Sequence, residues 1–104
     1  MQDINTDKKT YILCAAIHYE DGIKYPHQPR NIEFGIVACG WRHHNCFSTL
    51  YSLLGDKYDI ALARVQGFIT NDGMFVDRKE AAKIAYNSGQ IKYKTEKIFS
   101  EDLY

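Results

Sequence analysis

Eight consecutive residues, 39–46, hold most of the side chains in this sequence that could bind a ligand or a metal ion. The segment reads Cys-Gly-Trp-Arg-His-His-Asn-Cys and contains two of the three cysteines, two of the four histidines and the only tryptophan of the 104-residue chain. Thiols and imidazoles are metal ligands, whereas an arginine, imidazoles and an amide beside a glycine can hold an anion. The segment therefore predicts contact with a ligand, a metal ion or another subunit.

Two predicted strands lead to this segment. Residues 11–19 form a nearly continuous apolar run, which predicts a central strand. An Asp-Gly pair follows, which is typical of a tight hairpin turn, so residues 23–25 are predicted to turn back beside that strand. Residues 26–31 contain both prolines of the chain and are predicted as a loop, because proline cannot join regular ladder pairing. A second strand is predicted at residues 34–39.

Two helices are predicted after these strands. Apolar residues recur with helical spacing over residues 43–54, and Gly55 follows where a C-terminal cap is expected. The segment at residues 39–46 is thus a strand-to-helix turn. Asp77 is predicted to cap a second helix, with Glu80 as its reciprocal partner, and Gly89 ends that helix.

A second hairpin completes the predicted fold. Residues 67–70 and 74–76 have strand character, and the Asn-Asp-Gly sequence between them has strong turn chemistry. The sum is an α+β fold with an antiparallel sheet and two helices, in one small domain at residues 10–104. The polar residues 1–9 are predicted to be a disordered lead.

Composition excludes several classes of protein. Thirteen basic residues balance thirteen acidic ones, so no global field attracts the chain to a nucleic acid polymer or an anionic membrane. No apolar run approaches the roughly 20 residues of a membrane span, and no signal peptide is apparent, so a cytoplasmic location is predicted. Three cysteines without an export signal predict reduced thiols. The many aromatic residues favour a homo-oligomer, because surplus aromatics serve interfaces.

The strand-to-helix turn predicts an anion site. The first N–H groups of a helix are unpaired, and Gly40 lets an anion approach them closely. Arg42, His43, His44 and Asn45 would add donors for one or two phosphates. The alternative is that Arg42 and His44 are simply solvated and that His43 is a hydrogen-bonded core histidine. No phosphate-binding loop or dinucleotide-binding motif accompanies the turn, which counts against an NTPase and a Rossmann domain.

The same segment can be interpreted as a metal site, in which Cys39, Cys46 and one adjacent histidine supply three ligands. A fourth ligand would come from His18 or His27. Structural zinc sites usually combine two close ligand pairs, and the sequence has no second pair, which counts against zinc. A nucleophilic Cys46 is also disfavoured, because it falls on the apolar helical stripe, where buried inert thiols are usual.

The second hairpin and the helix after it could hold a nucleotide. Phe68 and Phe75 could sandwich a base, and Arg78 could pair with a phosphate. The alternative is packing: alternation sends one set of hairpin residues into the core, so at least one of these two phenylalanines should be a core residue. Lys79 should be solvated.

These segments resemble the phage-encoded Thoeris anti-defence proteins of the first type. Those proteins are small sponges that sequester the signalling nucleotide made by bacterial TIR-domain immune enzymes. The matching segments are residues 14–17, 40–47, 67–70 and 75–82. Trp41 and the segment after Gly89 depart from the pattern.

The resemblance implies a fold, a function and a set of ligand-binding residues. It implies an antiparallel sheet with two helices, dimers that can trimerise into hexamers, and binding of glycocyclic ADP-ribose without cleavage in the host cytoplasm. The resemblance also implies that some members of this family bind cyclic oligonucleotides at a second site. The resemblance implies no catalytic residue, no metal and no cofactor. One phenylalanine would stack the adenine, arginines would bind the pyrophosphate, and the amides and a hydroxyl would bind the riboses. The implied ligand-binding residues are Arg42, His43, Asn45, Phe68, Thr70, Asn71, Phe75 and Arg78.

Two hypotheses from other classes remain open at the level of the sequence. A small metal-dependent phosphodiesterase or hydrolase would use His43 and His44 as ligands or as general acid and base. No paired carboxylates lie near these histidines in the sequence, which argues against it. A module that binds a partner protein would use the aromatic surplus and would need no small ligand.

Overall fold

Four antiparallel strands and two helices form the part of the chain that the computed structural model describes, residues 9–103. The predicted α+β class, with an antiparallel sheet and two helices, is confirmed. The strands lie in the order β2-β1-β3-β4. The elements, in chain order, are β1 (Ile12–Tyr19), β2 (Ile36–Gly40), α1 (His43–Leu54), β3 (Ala63–Thr70), β4 (Phe75–Asp77) and α2 (Arg78–Ser88). Except for Lys9, the predicted lead at residues 1–9 lies outside the described residues.

The helices cover one face of the sheet. Side chains alternate between the faces of a strand, and residues paired across antiparallel strands share a face. Ala15 pairs with Phe68 and Ile17 with Gln66, so these residues share the face on which the main core forms. The helices bury an apolar stripe on it. The stripe consists of Cys46 and Leu50 from α1 and Ala81, Ala82 and Ala85 from α2.

The ends of both helices lie where the sequence predicts them, but among the described residues the Glu80 side chain makes no reciprocal bond to the Asp77 backbone. Gly55 follows α1 as its C-cap. The Asp77 side chain caps α2, because its Oδ1 accepts a hydrogen bond from the Glu80 backbone N–H (2.9 Å). Gly89 ends α2 in the left-handed conformation, with φ of 85°, which glycine adopts without strain. Within residues 9–103, no helix is both long and apolar enough to cross a membrane.

Residues 26–32, which we call the strap, cross the other face of the sheet and bond to both of its outer strands. Gln28 Oε1 accepts a hydrogen bond from the Val37 backbone N–H on β2 (2.8 Å). The Asn31 side chain bonds twice to Phe75 on β4: its Nδ2 donates to the carbonyl oxygen (2.7 Å) and its Oδ1 accepts from the N–H (2.8 Å). The predicted loop therefore covers this face of the sheet. Its side chains bond to backbone groups that have no partner strand at the two edges.

The predicted pairing of residues 23–25 with the first strand is wrong. The Asp21 carboxylate accepts hydrogen bonds from the Ile23 N–H (2.9 Å) and the Tyr25 hydroxyl (2.5 Å). These bonds turn the chain, but residues 23–25 form no strand. β1 pairs instead with β2, with Ala16 opposite Cys39. A local turn signal could not reveal that the partner strand lies beyond the prolines.

The segment at residues 90–103 is a docked tail. Gln90 fastens its start to β1, since its side chain bonds to both the N–H and the carbonyl of Ile12 (2.8 and 2.9 Å). Ile91 and Ile98 are buried in the core. A single turn of 3-10 helix, Ser100–Asp102, follows.

Candidate functional site

The strand-to-helix turn between β2 and α1 is tight and internally bonded. A Cβ atom on Gly40 would lie 2.7 Å from the Asn45 Cβ, so no larger residue fits there without movement. Asn45 Oδ1 accepts a hydrogen bond from the Arg42 backbone N–H (3.1 Å), which is one half of a capping box. The Arg42 guanidinium lies 5.1 Å from the centre of the exposed Trp41 ring. The Asn45 oxygen thus serves the turn, and the surface here is an indole ring with a cation beside it.

His43 is a core residue with only 8% of its surface exposed. Its Nε2 donates to the Gly67 carbonyl oxygen on β3 (2.9 Å), and its ring meets Phe68 edge-on at 5.1 Å. Burial lowers the pKa of His43, although its hydrogen bond to Gly67 acts in the opposite direction. This placement matches the core-histidine alternative.

Thr70 and Asn71 hold the ends of strands together. Thr70 is 1% exposed, and its hydroxyl bonds to the Asp72 carboxylate and accepts from the Met74 N–H (3.2 Å). Asn71 Oδ1 accepts from the Tyr11 N–H (2.8 Å), and its Nδ2 donates to the Lys9 carbonyl (3.0 Å). Both polar groups already have partners in the fold.

Phe68 and Phe75 are both buried, on opposite faces of the sheet. Phe68 is 0% exposed beneath the helices and Phe75 is 8% exposed beneath the strap. The Phe75 ring lies over Gly67, where an added Cβ would be 2.9 Å from its Cζ, and it packs 5.8 Å from the His18 ring. The prediction from alternation that at least one of the two is a core residue is confirmed, since both are buried. Because helices cover one face and the strap covers the other, neither ring offers a face to a nucleobase in this structure.

Arg78, the first residue of α2, fastens the tail. Its Nη1 donates to the Ile98 carbonyl (3.1 Å) and its Nη2 to Gln66 Oε1 (2.6 Å). Its guanidinium also lies 4.4 Å from the centre of the Phe99 ring. Burial lowers the pKa of Arg78 from its usual value, yet an arginine remains charged.

A cavity of about 380 Å³, which we call the α2 groove, lies beside this arginine. Its cations are Arg64, Arg78 and Lys79, and its one carboxylate, Asp77, is committed to capping α2. Val65 and Gln66 complete the lining. The groove combines cations with the start of a helix, which is an arrangement suited to phosphate groups.

The structure therefore distributes the eight residues implied by the resemblance over separate places. Arg42, His43, Asn45 and Phe68 lie around the strand-to-helix turn. Thr70 and Asn71 hold the β3–β4 turn, and Phe75 lies under the strap. Arg78 alone lines the α2 groove. Sequence reasoning missed Arg64 and Gln66, whose proximity to Arg78 follows from the pairing of β3 with β4. Lys79 was visible as a cation at the start of a helix, and it is exposed as expected.

The residues of the metal hypothesis do not converge. In the described part of the chain, no three His, Cys, Asp or Glu side chains are placed so that they could share a metal ion. His43 faces Gly67, Cys39 lies on the strap side of the sheet, and Cys46 is fully buried on the helix side. The hydrolase hypothesis thus has no ligand cluster among these residues.

A family model described as the phage T4 y16D protein matches residues 11–104. The chain belongs to this phage protein family. The match runs from the start of β1 to the end of the chain, so the tail is part of the family domain. Comparison with curated proteins gives no match, and neither does comparison with solved structures. The family description names a phage protein and no activity, so a function must be argued from the residues.

Proposed function

We propose that this phage-family protein binds glycocyclic ADP-ribose, the immune signal of bacterial TIR-domain Thoeris systems, and sequesters it without cleaving it. It would act in the cytoplasm of the infected host. Membership of a phage protein family and the resemblance of residues 14–17, 40–47, 67–70 and 75–82 to first-type Thoeris anti-defence proteins support the proposal. The α2 groove is the structural observation that carries it.

The pyrophosphate of such a ligand requires cations that can reach it. Arg64 and Lys79 are exposed at the α2 groove, and charge-assisted bonds from such groups to phosphate are stronger than neutral ones. Of the Arg64 guanidinium, the Nε already donates to the Ala61 carbonyl oxygen (3.2 Å) and lies 3.9 Å from the Glu20 carboxylate. Arg78 adds a third positive charge, although its donors already bond to Ile98 and Gln66. We therefore assign phosphate binding to Arg64 and Lys79 and positioning of the groove wall to Arg78.

The adenine requires an aromatic face. Phe99 is the phenylalanine next to Arg78, and 44% of its surface is exposed. Stacking of a base on an aromatic ring contributes about 1–3 kcal/mol. Phe99 is thus a better stacking candidate than either buried phenylalanine, and it belongs to the tail that the sequence motifs did not include.

Titration calorimetry with glycocyclic ADP-ribose tests the proposal. We expect saturable binding, and we expect Lys79→Ala and Arg64→Ala each to weaken it about tenfold, equivalent to about 1.4 kcal/mol. Neither side chain supports the core, so both variants should fold. Lys57→Ala, which removes an exposed cation on the short turn after α1, should leave the affinity unchanged.

Heating the complex and separating the released nucleotide by chromatography distinguishes a sponge from an enzyme. Intact ligand supports sequestration, whereas a degraded product would establish the hydrolase alternative. Absence of heat with glycocyclic ADP-ribose and with cyclic oligonucleotides would contradict the proposal and would favour a protein partner. Unchanged affinity in both groove variants would remove the α2 groove from the site.

A further inference from the structure

Two of the three cysteines are neighbours on the strap side of the sheet. Cys39 on β2 pairs with Ala16 on β1, so Cys14, two residues earlier on β1, is its diagonal neighbour on the same face of the sheet. The two thiols are close enough for each to change the pKa of the other. Cys14 is half-buried and Cys39 is exposed, whereas Cys46 is buried on the helix side.

The contact makes the two thiols chemically different. The hydrogen bond from Cys39, helped by the Gly40 backbone N–H, lowers the pKa of Cys14 to about 7, against an opposing effect of burial. The same contact raises the pKa of Cys39 and keeps that thiol protonated. Burial raises the pKa of Cys46 to about 11. Near neutral pH, Cys14 is therefore the thiol with the largest thiolate fraction of the three, and thiolates are the nucleophilic form of cysteine.

A small reagent can reach Cys39, next to Cys14, from the strap side of the sheet. A cavity of about 370 Å³ lies between the strap and the sheet, and Cys39 lines it together with Val37 and Ile69. His27 and Arg30 line its strap side, and both are exposed. Polar side chains thus border the opening of this cavity, and Cys39 lies at its floor.

We propose that Cys14 and Cys39 form an oxidation site for hydroperoxides, in which Cys14 reacts first and Cys39 converts the product to an internal disulfide. The Cys14 thiolate attacks one oxygen of hydrogen peroxide, the O–O bond breaks and Cys14 becomes a sulfenic acid, while the displaced hydroxide takes a proton from the solvent and leaves as the first water. The Cys39 sulfur then attacks the sulfenic sulfur, the S–O bond breaks, and a second water leaves. Two thiols and one hydrogen peroxide thus give one disulfide and two waters.

The geometry also predicts that the disulfide is easily reduced. Diagonal neighbours across antiparallel strands have Cα atoms about 7–8 Å apart, which exceeds the usual disulfide range of about 4.4–6.8 Å. Closing the bond therefore requires the end of β2 to move toward β1. β2 is an outer strand of five residues, and the register of β1 against β3 is irregular between Ile12 and Cys14, so movement is feasible there. A strained disulfide has a more oxidising potential.

Peptide mapping of the peroxide-treated protein tests this inference. Cleavage after lysine and arginine places the cysteines on three separate peptides, residues 10–24, 31–42 and 43–57. We expect a linked pair of peptides 10–24 and 31–42 with the loss of two hydrogen atoms, reversed by dithiothreitol. Linkage through the peptide with Cys46, or three free thiols after treatment, would overturn the inference.

Single variants separate the roles of the two thiols. In Cys39→Ala, dimedone should trap one sulfenic acid on Cys14, and the midpoint of Cys14 alkylation by iodoacetamide should rise from about pH 7, because the donor thiol is lost. Cys14→Ala should slow oxidation of Cys39 more than tenfold, and Cys46→Ala should leave the bridge intact. An unshifted alkylation midpoint in Cys39→Ala would contradict activation by Cys39. The inference is independent of the nucleotide proposal, since each readout is made without nucleotide.

Discussion

His43 shows how one side chain can belong to a chemistry-rich segment and still serve the core. Its ring lies between the Gly67 carbonyl and Phe68, and both its neighbours in sequence, Arg42 and His44, are more exposed. Burial disfavours the charged imidazolium, so the folded protein holds this histidine neutral over a wider pH range than the unfolded chain does.

This burial predicts a loss of stability in acid. Because the folded pKa is lowered, the unfolded chain binds a proton below about pH 6.5 that the folded protein does not bind, so stability falls as the pH decreases through that window. The slope for one proton is at most about 1.4 kcal/mol per pH unit. The value of about 6.5 is the ordinary pKa of a histidine. His43→Gln keeps an N–H for Gly67 and should flatten the pH dependence of the free energy of unfolding between pH 7.5 and 5.5, measured by urea unfolding.

His44→Gln is the matched control. His44 is the adjacent residue and is exposed, so its replacement should leave the pH dependence as in the wild type. Equal slopes for the wild type and His43→Gln would show that His43 does not contribute.

At the level of elements, the strap covers one face of the sheet and the helices cover the other. It covers Phe75 and borders the cavity at Cys39, and its side chains bond to backbone groups on the outer edges of β2 and β4. β4 has only three residues, so the two bonds from Asn31 are a large share of its support on the outer edge.

Replacement of Asn31 should loosen this edge. Asn31→Ala removes both bonds to Phe75, and we expect it to lower the free energy of unfolding by about 1–3 kcal/mol. Hydrogen exchange of the Phe75 amide should accelerate, because that N–H loses its acceptor. Asn31→Asp keeps the acceptor and loses the donor, so its effect should be smaller.

Asn87→Ala provides the comparison, since Asn87 lies exposed on α2. It should leave the Phe75 exchange rate unchanged. If Asn31→Ala behaves like Asn87→Ala in both measurements, the strap does not support β4.

At the level of the whole molecule, the chain is flat and leaves large apolar side chains at its surface. Its extents are 47 × 31 × 18 Å and its radius of gyration is 14.6 Å, against about 13 Å for an average domain of this size. Around α1 and the turn after it, Tyr51, Leu53 and Ile60 are each more than 60% exposed. Exposed aromatic and aliphatic groups of this kind are common at subunit interfaces.

We expect the protein to form homodimers, which the resemblance extends to hexamers, and we expect the face around α1 to be an interface. Ile60→Asp should lower the mass measured by light scattering after size-exclusion chromatography. Ile23→Asp, at an exposed isoleucine elsewhere (53%), should leave the mass unchanged. A wild-type protein that is monomeric at all concentrations would contradict the expectation.

The sequence alone determined the features that depend on neighbours in the chain. The caps at Asp77 and Gly89, the helical stripe from His43 and the turn between β3 and β4 follow from local backbone chemistry, which acts over a few residues. The α+β class follows from the order of these elements. The segment most dense in chemistry was also correctly placed at a strand-to-helix turn.

Only the tertiary structure decided which side chains meet and which are covered. The pairing of β1 with β2 placed Cys14 beside Cys39, the docking of the tail brought Phe99 to Arg78, and the strap covered Phe75. Each depends on strand register or on contacts between distant parts of the chain, where a shift of one residue would exchange the two faces of a strand. Local spacing carries no information about such a choice, because the alternation of a strand is the same whichever face becomes buried.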